Sequence, residues 1–190
     1  MTGGIVVRND RGVIEVGGPE AVQFLHGLVT ATVKSLAPGE VSFGALLTPQ
    51  GKILFDFFLL RTETGFLIEV ARAQVADLVR RLTFYRLRAQ VTLADRSADF
   101  VVAYAFGEAP APAGVISFAD PRLPDLATHL LLPAPAAPAA TASLDDWHAH
   151  RIARGVPESG LDFPLGDTFP HDADMDDLAG VDFKKGCFIG

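Results

Sequence analysis

Short apolar segments separated by polar turns recur along the chain, which is the pattern of β-strands. They predict strands at residues 13–16, 66–70, 91–93, 100–106 and 115–118. Two further apolar runs, 41–47 and 53–60, flank a segment with Pro49 and Gly51 that predicts a hairpin turn.

Helical spacing of apolar residues occurs in three places. It predicts helices that begin at Pro19, extend over 73–82 and follow residue 143. The segments 109–114 and 133–142 are rich in proline and alanine and are expected to be surface connections. Strands, a helix and further strands predict an α+β fold with a sheet covered on one face.

Composition limits the classes of protein to which the chain can belong. Its 190 residues, 49% hydrophobic and 21% charged, suit one large or two small packed domains of a globular protein. The net charge of −7 argues against nucleic acid or an anionic membrane as the main partner, although a local basic patch can still exist. We find no signal peptide and no apolar run long enough to cross a bilayer, so we expect a soluble, cytoplasmic protein.

The only cysteine of the chain, Cys187, follows Lys184, Lys185 and Gly186. Positive charge favours the thiolate, which is the form that attacks, binds metal or oxidises. A free cysteine can equally be a small buried hydrophobe. The local sequence leaves both interpretations open.

A lone carboxylate, Asp56, interrupts the apolar run 53–60. Buried carboxylates are rare unless they are paired or functional. The structural alternative is an ion pair with an arginine such as Arg86 or Arg88, and the chemistry alone favours that alternative.

Metal sites are not expected. The acidic segment 172–177 has Asp177 where a calcium loop needs glycine and Phe183 where it needs glutamate. His148 and His150 lie two positions apart on a predicted helix, so they point in different directions and are expected to be solvated. One cysteine leaves no zinc pattern.

The end of the chain, KGCFIG at 185–190, resembles the start of the K-G-C-[YF]-x-G-Q-E signature of the YgfZ-type folate-binding proteins. This family includes the mitochondrial iron–sulfur assembly factors and is distantly related to the glycine-cleavage T-protein. Other matching segments follow in the same order along the chain: FLHGLVT at 24–30, LTPQGK at 47–52 with Asp56, YRLR at 85–88, RIARGVP at 151–157, DF at 162–163 and FPHD at 169–172.

The resemblance implies an α+β, T-protein-like folate-binding fold. In that fold, residues 1–44 and 143–190 form a first, discontinuous α+β domain, and residues 45–142 form a ferredoxin-like middle domain. Family members continue past the cysteine motif into a C-terminal β-barrel, which is missing from these 190 residues.

The resemblance also implies a site for tetrahydrofolate in a channel between the domains. Asp56 matches the catalytic aspartate of the T-protein, which lies close to the folate amine. Cys187 is the implied reactive residue, with Lys185 supporting its thiolate. The other residues assigned to the folate channel are Thr30, Lys52, Tyr85, Arg88 and Arg151. One position departs from the aminomethyltransferases, because Ala153 stands in place of a glutamate and cannot replace its two hydrogen bonds.

These implications favour a tetrahydrofolate-binding protein that assists the assembly or repair of iron–sulfur cluster proteins. Its expected partners are folate and iron–sulfur assembly or client proteins, with no nucleic acid and no membrane. One alternative is a folate-dependent one-carbon enzyme, an aminomethyltransferase or demethylase with Asp56 as its acid–base group, against which Ala153 counts. A second alternative is a non-catalytic interaction module.

Overall fold

The computed structural model describes residues 3–189, which form nine strands and three α-helices. Short 3-10 turns lie at Arg72–Gln74 and Pro170–Ala173. The elements in chain order are β1 (Gly4–Val7), β2 (Arg11–Gly17), α1 (Ala21–His26), β3 (Val41–Leu47), β4 (Ile53–Arg61), β5 (Gly65–Ala71), α2 (Val75–Arg86), β6 (Thr92–Asp95), β7 (Phe100–Phe106), β8 (Ile116–Ala119), β9 (Thr128–Pro133) and α3 (Leu144–Ile152).

The strands form two sheets in which all neighbours are antiparallel. One sheet has the order β1-β7-β9-β8, and the other has the order β3-β4-β5-β2-β6. The hairpin of β3 and β4 turns at Gly51, whose φ of 83° lies in the left-handed region that glycine adopts without strain.

The five-stranded sheet is buried on both faces. One face packs against α1 and α2 in a cluster that includes Ile14, Phe57, Leu25 and Leu78. The other face packs against the four-stranded sheet and α3 in a cluster that includes Phe43, Phe58, Tyr104 and Trp147. Burial on both sides explains why β4 is apolar at nearly every position instead of alternating.

The predicted α+β class and the β3–β4 hairpin are confirmed, and the predicted helices correspond to α1, α2 and α3. The prediction of a sheet covered on one face is wrong for the five-stranded sheet. Two strands, β1 and β9, were not predicted. The first has only four residues, and the second runs directly into the Pro/Ala-rich segment 133–142, which obscures its pattern.

The predicted domain boundaries at 44/45 and 142/143 do not coincide with the division between the sheets. The first boundary falls inside β3, and β2 pairs with β5 from across it. A division into a discontinuous first domain and a ferredoxin-like middle domain stays a prediction.

Candidate functional site

Asp56 lies on β4, on the same face as Phe58 and therefore toward the four-stranded sheet. The side chain is half-buried, and the Ser159 hydroxyl donates a hydrogen bond to its Oδ1. Burial raises the pKa of Asp56, and the Ser159 hydroxyl and the charges of Arg11 and Arg122 offset this only in part. Within residues 3–189, no group donates a hydrogen bond to Oδ2, so this oxygen is open to a further donor.

The loop that carries Ser159 is held by Arg151 of α3. The buried guanidinium of Arg151 donates to the Val156 carbonyl oxygen at 3.0 Å and to the Asp162 carboxylate. Asp162 also accepts a hydrogen bond of 2.8 Å from the backbone N–H of Glu158. Arg151 therefore positions the loop that reaches Asp56.

A buried cluster of charged side chains lies between the two sheets. The ring of His129 joins two carboxylates, with Nδ1 2.7 Å from Glu69 Oε2 and Nε2 2.9 Å from Asp120 Oδ2. Arg11 Nε donates to Glu69 at 3.0 Å, and Arg122 donates to Asp120 at 3.0 and 2.7 Å. Because each ring nitrogen faces a carboxylate, the imidazole carries both protons and a positive charge.

The charges in this cluster compensate one another. Burial alone lowers the pKa of His129, but Glu69 and Asp120 raise it above the ordinary value of 6.5. Burial alone raises the pKa of Glu69, but His129 and Arg11 lower it to about 2. The pKa of Asp120 is also lowered, because Arg122 and His129 outweigh its burial. The cluster joins β5 of one sheet to β9 of the other.

This cluster is not among the sites predicted above, although the sequence contains a signal for it. Glu69 is a lone carboxylate in the apolar segment 66–70, which is the same pattern that singled out Asp56. His129 similarly interrupts the apolar segment 126–132. Their pairing could not be inferred, because β9 was not predicted and the stacking of the sheets is not encoded in any local pattern.

Thr30 anchors the C-terminal segment of the chain. Its hydroxyl accepts a hydrogen bond of 2.8 Å from the backbone N–H of Ala45 and donates one of 2.6 Å to the Gly180 carbonyl oxygen. The Thr30 carbonyl oxygen accepts a further bond of 2.9 Å from the N–H of Asp182. The Asp182 carboxylate in turn accepts a bond of 2.8 Å from the Thr32 hydroxyl.

Lys185 holds the same segment against the C-terminal end of α1. Its ammonium group donates to the carbonyl oxygens of His26, at 2.8 Å, and Val29. Burial lowers the pKa of Lys185 to about 8, although the Asp182 carboxylate raises it. Cys187 lies two residues further on with an exposed, free thiol, so its interpretation as a buried hydrophobe is wrong.

An apolar cavity of about 240 Å³ lies beside this C-terminal segment. Phe183 and Phe188 line it together with Thr30, Gly51 of the β3–β4 turn and Pro170. Residues 30–51 and residues 170–188, two stretches that are far apart in the sequence, therefore meet here. The aromatic walls suit a flat ring, which stacks on such side chains.

Lys52 lies on the β3–β4 turn, next to the cavity. Its Nζ donates to the Asp167 carbonyl oxygen at 2.6 Å and to the Asp167 carboxylate at 2.8 Å. The same Nζ lies 4.6 Å from the centroid of the Phe169 ring. Lys52 thus ties the hairpin turn to the segment that leads into Pro170.

Tyr85 and Arg88 lie apart from Asp56. Tyr85 packs against the cluster under α2, on the face of the five-stranded sheet opposite Asp56, and Arg88 is exposed just beyond α2. The alternative that pairs Asp56 with Arg86 or Arg88 is wrong, because Ser159 bonds to Asp56 and Arg86 donates to the Val91 carbonyl oxygen at 3.4 Å. The structure does not bring these two predicted folate contacts to the carboxylate.

The prediction that both histidines of α3 are solvated is wrong for His150. This side chain is buried, and its Nε2 lies 2.8 Å from the Leu126 carbonyl oxygen. In the part of the chain that the structure describes, no three His, Cys, Asp or Glu side chains gather in a group able to hold a metal ion. None of the helices within residues 3–189 has the length and apolar character needed to span a membrane.

The two sheets and the helices that pack on one of them form the fold of a known family. The GCVT N-terminal domain family matches residues 4–107, and the chain belongs to this family. A crystal structure of the glycine cleavage system aminomethyltransferase T from Bartonella henselae is 19% identical, with a TM-score of 0.75 over 94% of this chain and 58% of that chain. The predicted T-protein-like fold is thereby confirmed.

Within this class, the chain is similar to iron-sulfur cluster assembly factors. It is 32% identical over 201 residues to the mitochondrial iron-sulfur cluster assembly factor IBA57 homolog of Mycosarcoma maydis, which covers 95% of this chain and 50% of the relative. It is 30% identical over 207 residues to the human mitochondrial factor IBA57, which covers 95% of this chain and 58% of that protein. The chain spans about half the length of these relatives, and the resemblance to the YgfZ-type proteins is confirmed.

Proposed function

We propose that this protein binds tetrahydrofolate and assists the assembly or repair of iron–sulfur cluster proteins, with Cys187 as its reactive residue. The observation that carries the proposal is the anchored segment 182–187. Asp182 and Lys185 fix its backbone, yet the thiol of Cys187 stays exposed. A thiol that is held in place and accessible can bind transiently to a cluster or to a client thiol. The names of the relatives support the same role.

Two regions of the structure fit a folate. The first is Asp56, whose Oδ2 is open while Ser159 holds Oδ1, so it can accept a hydrogen bond from an amine of the pterin. The second is the apolar cavity between Phe183 and Phe188, whose walls suit an aromatic ring. The side chains of Thr30, Lys52 and Arg151 make hydrogen bonds close to these two regions. We propose that these three residues hold the walls of the folate site in place.

One-carbon transfer is not part of this proposal. Ala153 lies exposed at the end of α3 and offers no carboxylate for the donor edge of a pterin. The partners that we propose are folate and an iron–sulfur assembly or client protein. A cytoplasmic location, expected from the sequence, stays a prediction.

Isothermal calorimetry with tetrahydrofolate tests the folate part. We expect binding to the unmodified chain that weakens about tenfold or more in Asp56→Asn, because an amide lacks the charge of the carboxylate. Ser159→Ala is expected to shift the affinity less, since it removes a support and not the acceptor. Asp145→Asn changes an exposed carboxylate on α3 and serves as the matched control. Equal affinity of Asp56→Asn and the unmodified chain contradicts the assignment.

The cysteine part is tested by rescue of iron–sulfur enzyme activity in a fungal strain that lacks its own IBA57 homologue. The unmodified chain is expected to restore activity and Cys187→Ala to fail. The double variant Cys187→Ala/Ser117→Cys carries a displaced thiol and is the matched control, since Ser117 is exposed on β8 at the edge of the four-stranded sheet. Full rescue by Cys187→Ala, or by the displaced thiol, rejects the role of Cys187.

A further inference from the structure

A groove on the outer surface runs between α2 and β4. We call it the α2 groove, and it has a volume of about 370 Å³. Its floor is apolar and its rim is charged, and the lining residues are Leu54, Phe55, Asp77, Arg80, Arg81 and Phe84. It shares no residue with the cavity beside Cys187 or with the surroundings of Asp56.

Two large apolar side chains at the end of α2 face solvent. Phe84 is 71% exposed and Leu87 is 86% exposed. Leu87 also has a φ of 46° with a ψ of −106°, a backbone conformation that side-chain-bearing residues rarely adopt. Exposed apolar groups with a polar rim mark interaction sites. Strained backbone positions also tend to be kept at functional sites.

The segment that forms the second half of α2 and the residues after it is opposite in charge to the whole chain. Between Leu78 and Ala94 the sequence contains four arginines, at 80, 81, 86 and 88, and no acidic residue, whereas the chain carries a net charge of −7. Arg80 forms an exposed salt bridge of 2.8 Å with Asp77. Neither Arg81 nor Arg88 forms a salt bridge with any residue of the described range 3–189. Their charges are therefore available to a partner.

We propose that the α2 groove docks an acidic segment of a partner protein that inserts an aliphatic or aromatic side chain between Leu54 and Phe84. The apolar floor accepts the anchor, and Arg81 and Arg88 pair with the flanking carboxylates. Arginine and aromatic residues dominate the energetics of such contacts. The negative charge of the rest of the chain repels acidic segments elsewhere, so complementarity directs them to this face.

The proposal goes beyond the role of Cys187 and folate and does not depend on either. An anionic membrane or a nucleic acid would also be drawn to arginines. However, four arginines on a chain of net charge −7 make a small basic footprint, and neither of those partners accounts for the apolar floor or the exposed Phe84 and Leu87.

The test is selection of ligands for the full chain from a displayed library of random peptides, followed by fluorescence anisotropy of the selected peptides. We expect enriched peptides to combine Asp or Glu with Leu, Phe or Trp. Their affinity is expected to fall about tenfold in Phe84→Ser and in Arg81→Gln, and to weaken with added salt. Leu87→Gly removes an exposed apolar side chain at a position whose φ of 46° glycine adopts without strain, so it is expected to weaken peptide binding without destabilising the fold.

Matched controls change the same residue types elsewhere on the surface. Leu161→Ser alters a side chain that is 63% exposed, and Arg154→Gln alters an exposed arginine after α3. Both are expected to leave peptide affinity unchanged. The rescue assay for Cys187 separates this proposal from the proposed function, because the tenfold loss of peptide affinity expected for Arg81→Gln does not depend on whether Cys187 is the reactive residue.

The proposal is overturned if the selected peptides are not acidic, or if Phe84→Ser and Arg81→Gln bind them as tightly as the unmodified chain. Phosphatidylserine vesicles and a short RNA duplex are measured in parallel. If the chain binds vesicles or RNA, if Arg81→Gln abolishes that binding, and if no acidic peptides are selected, the surface is assigned to that partner. This outcome also overturns the proposal.

Discussion

The buried cluster around His129 provides the sharpest test of the structure, through the substitution Glu69→Gln. Glu69 accepts hydrogen bonds from His129, Arg11 and the Tyr104 hydroxyl. The amide of glutamine keeps the volume but removes the charge. The positive charges of His129 and Arg11 then lie buried with one carboxylate fewer to compensate them.

Two quantities give the size of the loss in stability. A pKa of Glu69 lowered from 4.5 to about 2 corresponds to ~3 kcal/mol of stabilisation of the ionised form. Removal of one partner from a buried ion pair typically costs about 3–5 kcal/mol. We therefore expect Glu69→Gln to lower the free energy of unfolding by ~3 kcal/mol. For a chain of this size that lowers Tm by about 6–12 °C.

The pH dependence distinguishes this mechanism from a packing defect. His129 has a folded pKa above 6.5, so its stabilisation is fully present below 6.5 and is lost as pH rises through the folded pKa. Glu69 has a folded pKa below 4.5, so its contribution is present above 4.5 and is lost as pH falls toward 2. Glu69→Gln removes the second contribution and lowers the folded pKa of His129. The free energy of unfolding should therefore change less steeply with pH, both in the acidic range set by Glu69 and in the range set by His129.

The assay is urea unfolding followed by circular dichroism at a series of pH values. Glu63→Gln, an exposed carboxylate between β4 and β5, is the matched control and is expected to leave stability unchanged. A loss of less than ~1 kcal/mol in Glu69→Gln, or a pH profile with the slopes of the unmodified chain, refutes the reasoning.

Three further substitutions test other parts of the structure. Trp147→Ala removes a fully buried ring that lies 5.0 Å from Tyr104, and is expected to cost about 3–5 kcal/mol by urea unfolding followed by circular dichroism, with a smaller loss in Trp147→Phe. Lys185→Met releases the cysteine segment from α1, so the backbone amides of this segment should exchange with deuterium several-fold faster, whereas Lys184→Met should leave the exchange rate unchanged. Gly65→Ala places a Cβ 2.0 Å from a backbone oxygen of β2 and should cost about 1–3 kcal/mol, while Gly27→Ala, whose nearest neighbour lies at 3.7 Å, should be neutral.

Local patterns in the sequence were sufficient for much of the secondary structure. The turn at Gly51 was predictable because proline and glycine fix turn conformations through their own backbone geometry. The Ser143 hydroxyl caps α3 by accepting a hydrogen bond from the backbone N–H of Asp146, which lies only three residues further along the chain. Such features depend on neighbours along the chain, so they can be read without the fold.

The candidate site was only partly predictable. Asp56 stood out because a carboxylate in an apolar run is rare, and it is indeed half-buried. Its partner was mispredicted as an arginine near the end of α2. The Ser159 hydroxyl comes from more than a hundred positions away, on a loop that Arg151 holds.

The sequence by itself determined seven of the nine strands described, the hairpin, the charge balance and the motif that carries Cys187. Only the tertiary structure decided which strands share a sheet, which face of β5 meets β9, and that Lys185 bonds to the end of α1 and not to the thiol. The physical reason is the same in each case. Periodicity tells which side of an element is buried, but a buried polar group is satisfied by whatever partner the packed chain brings within about 3 Å, and that partner is chosen by the whole fold.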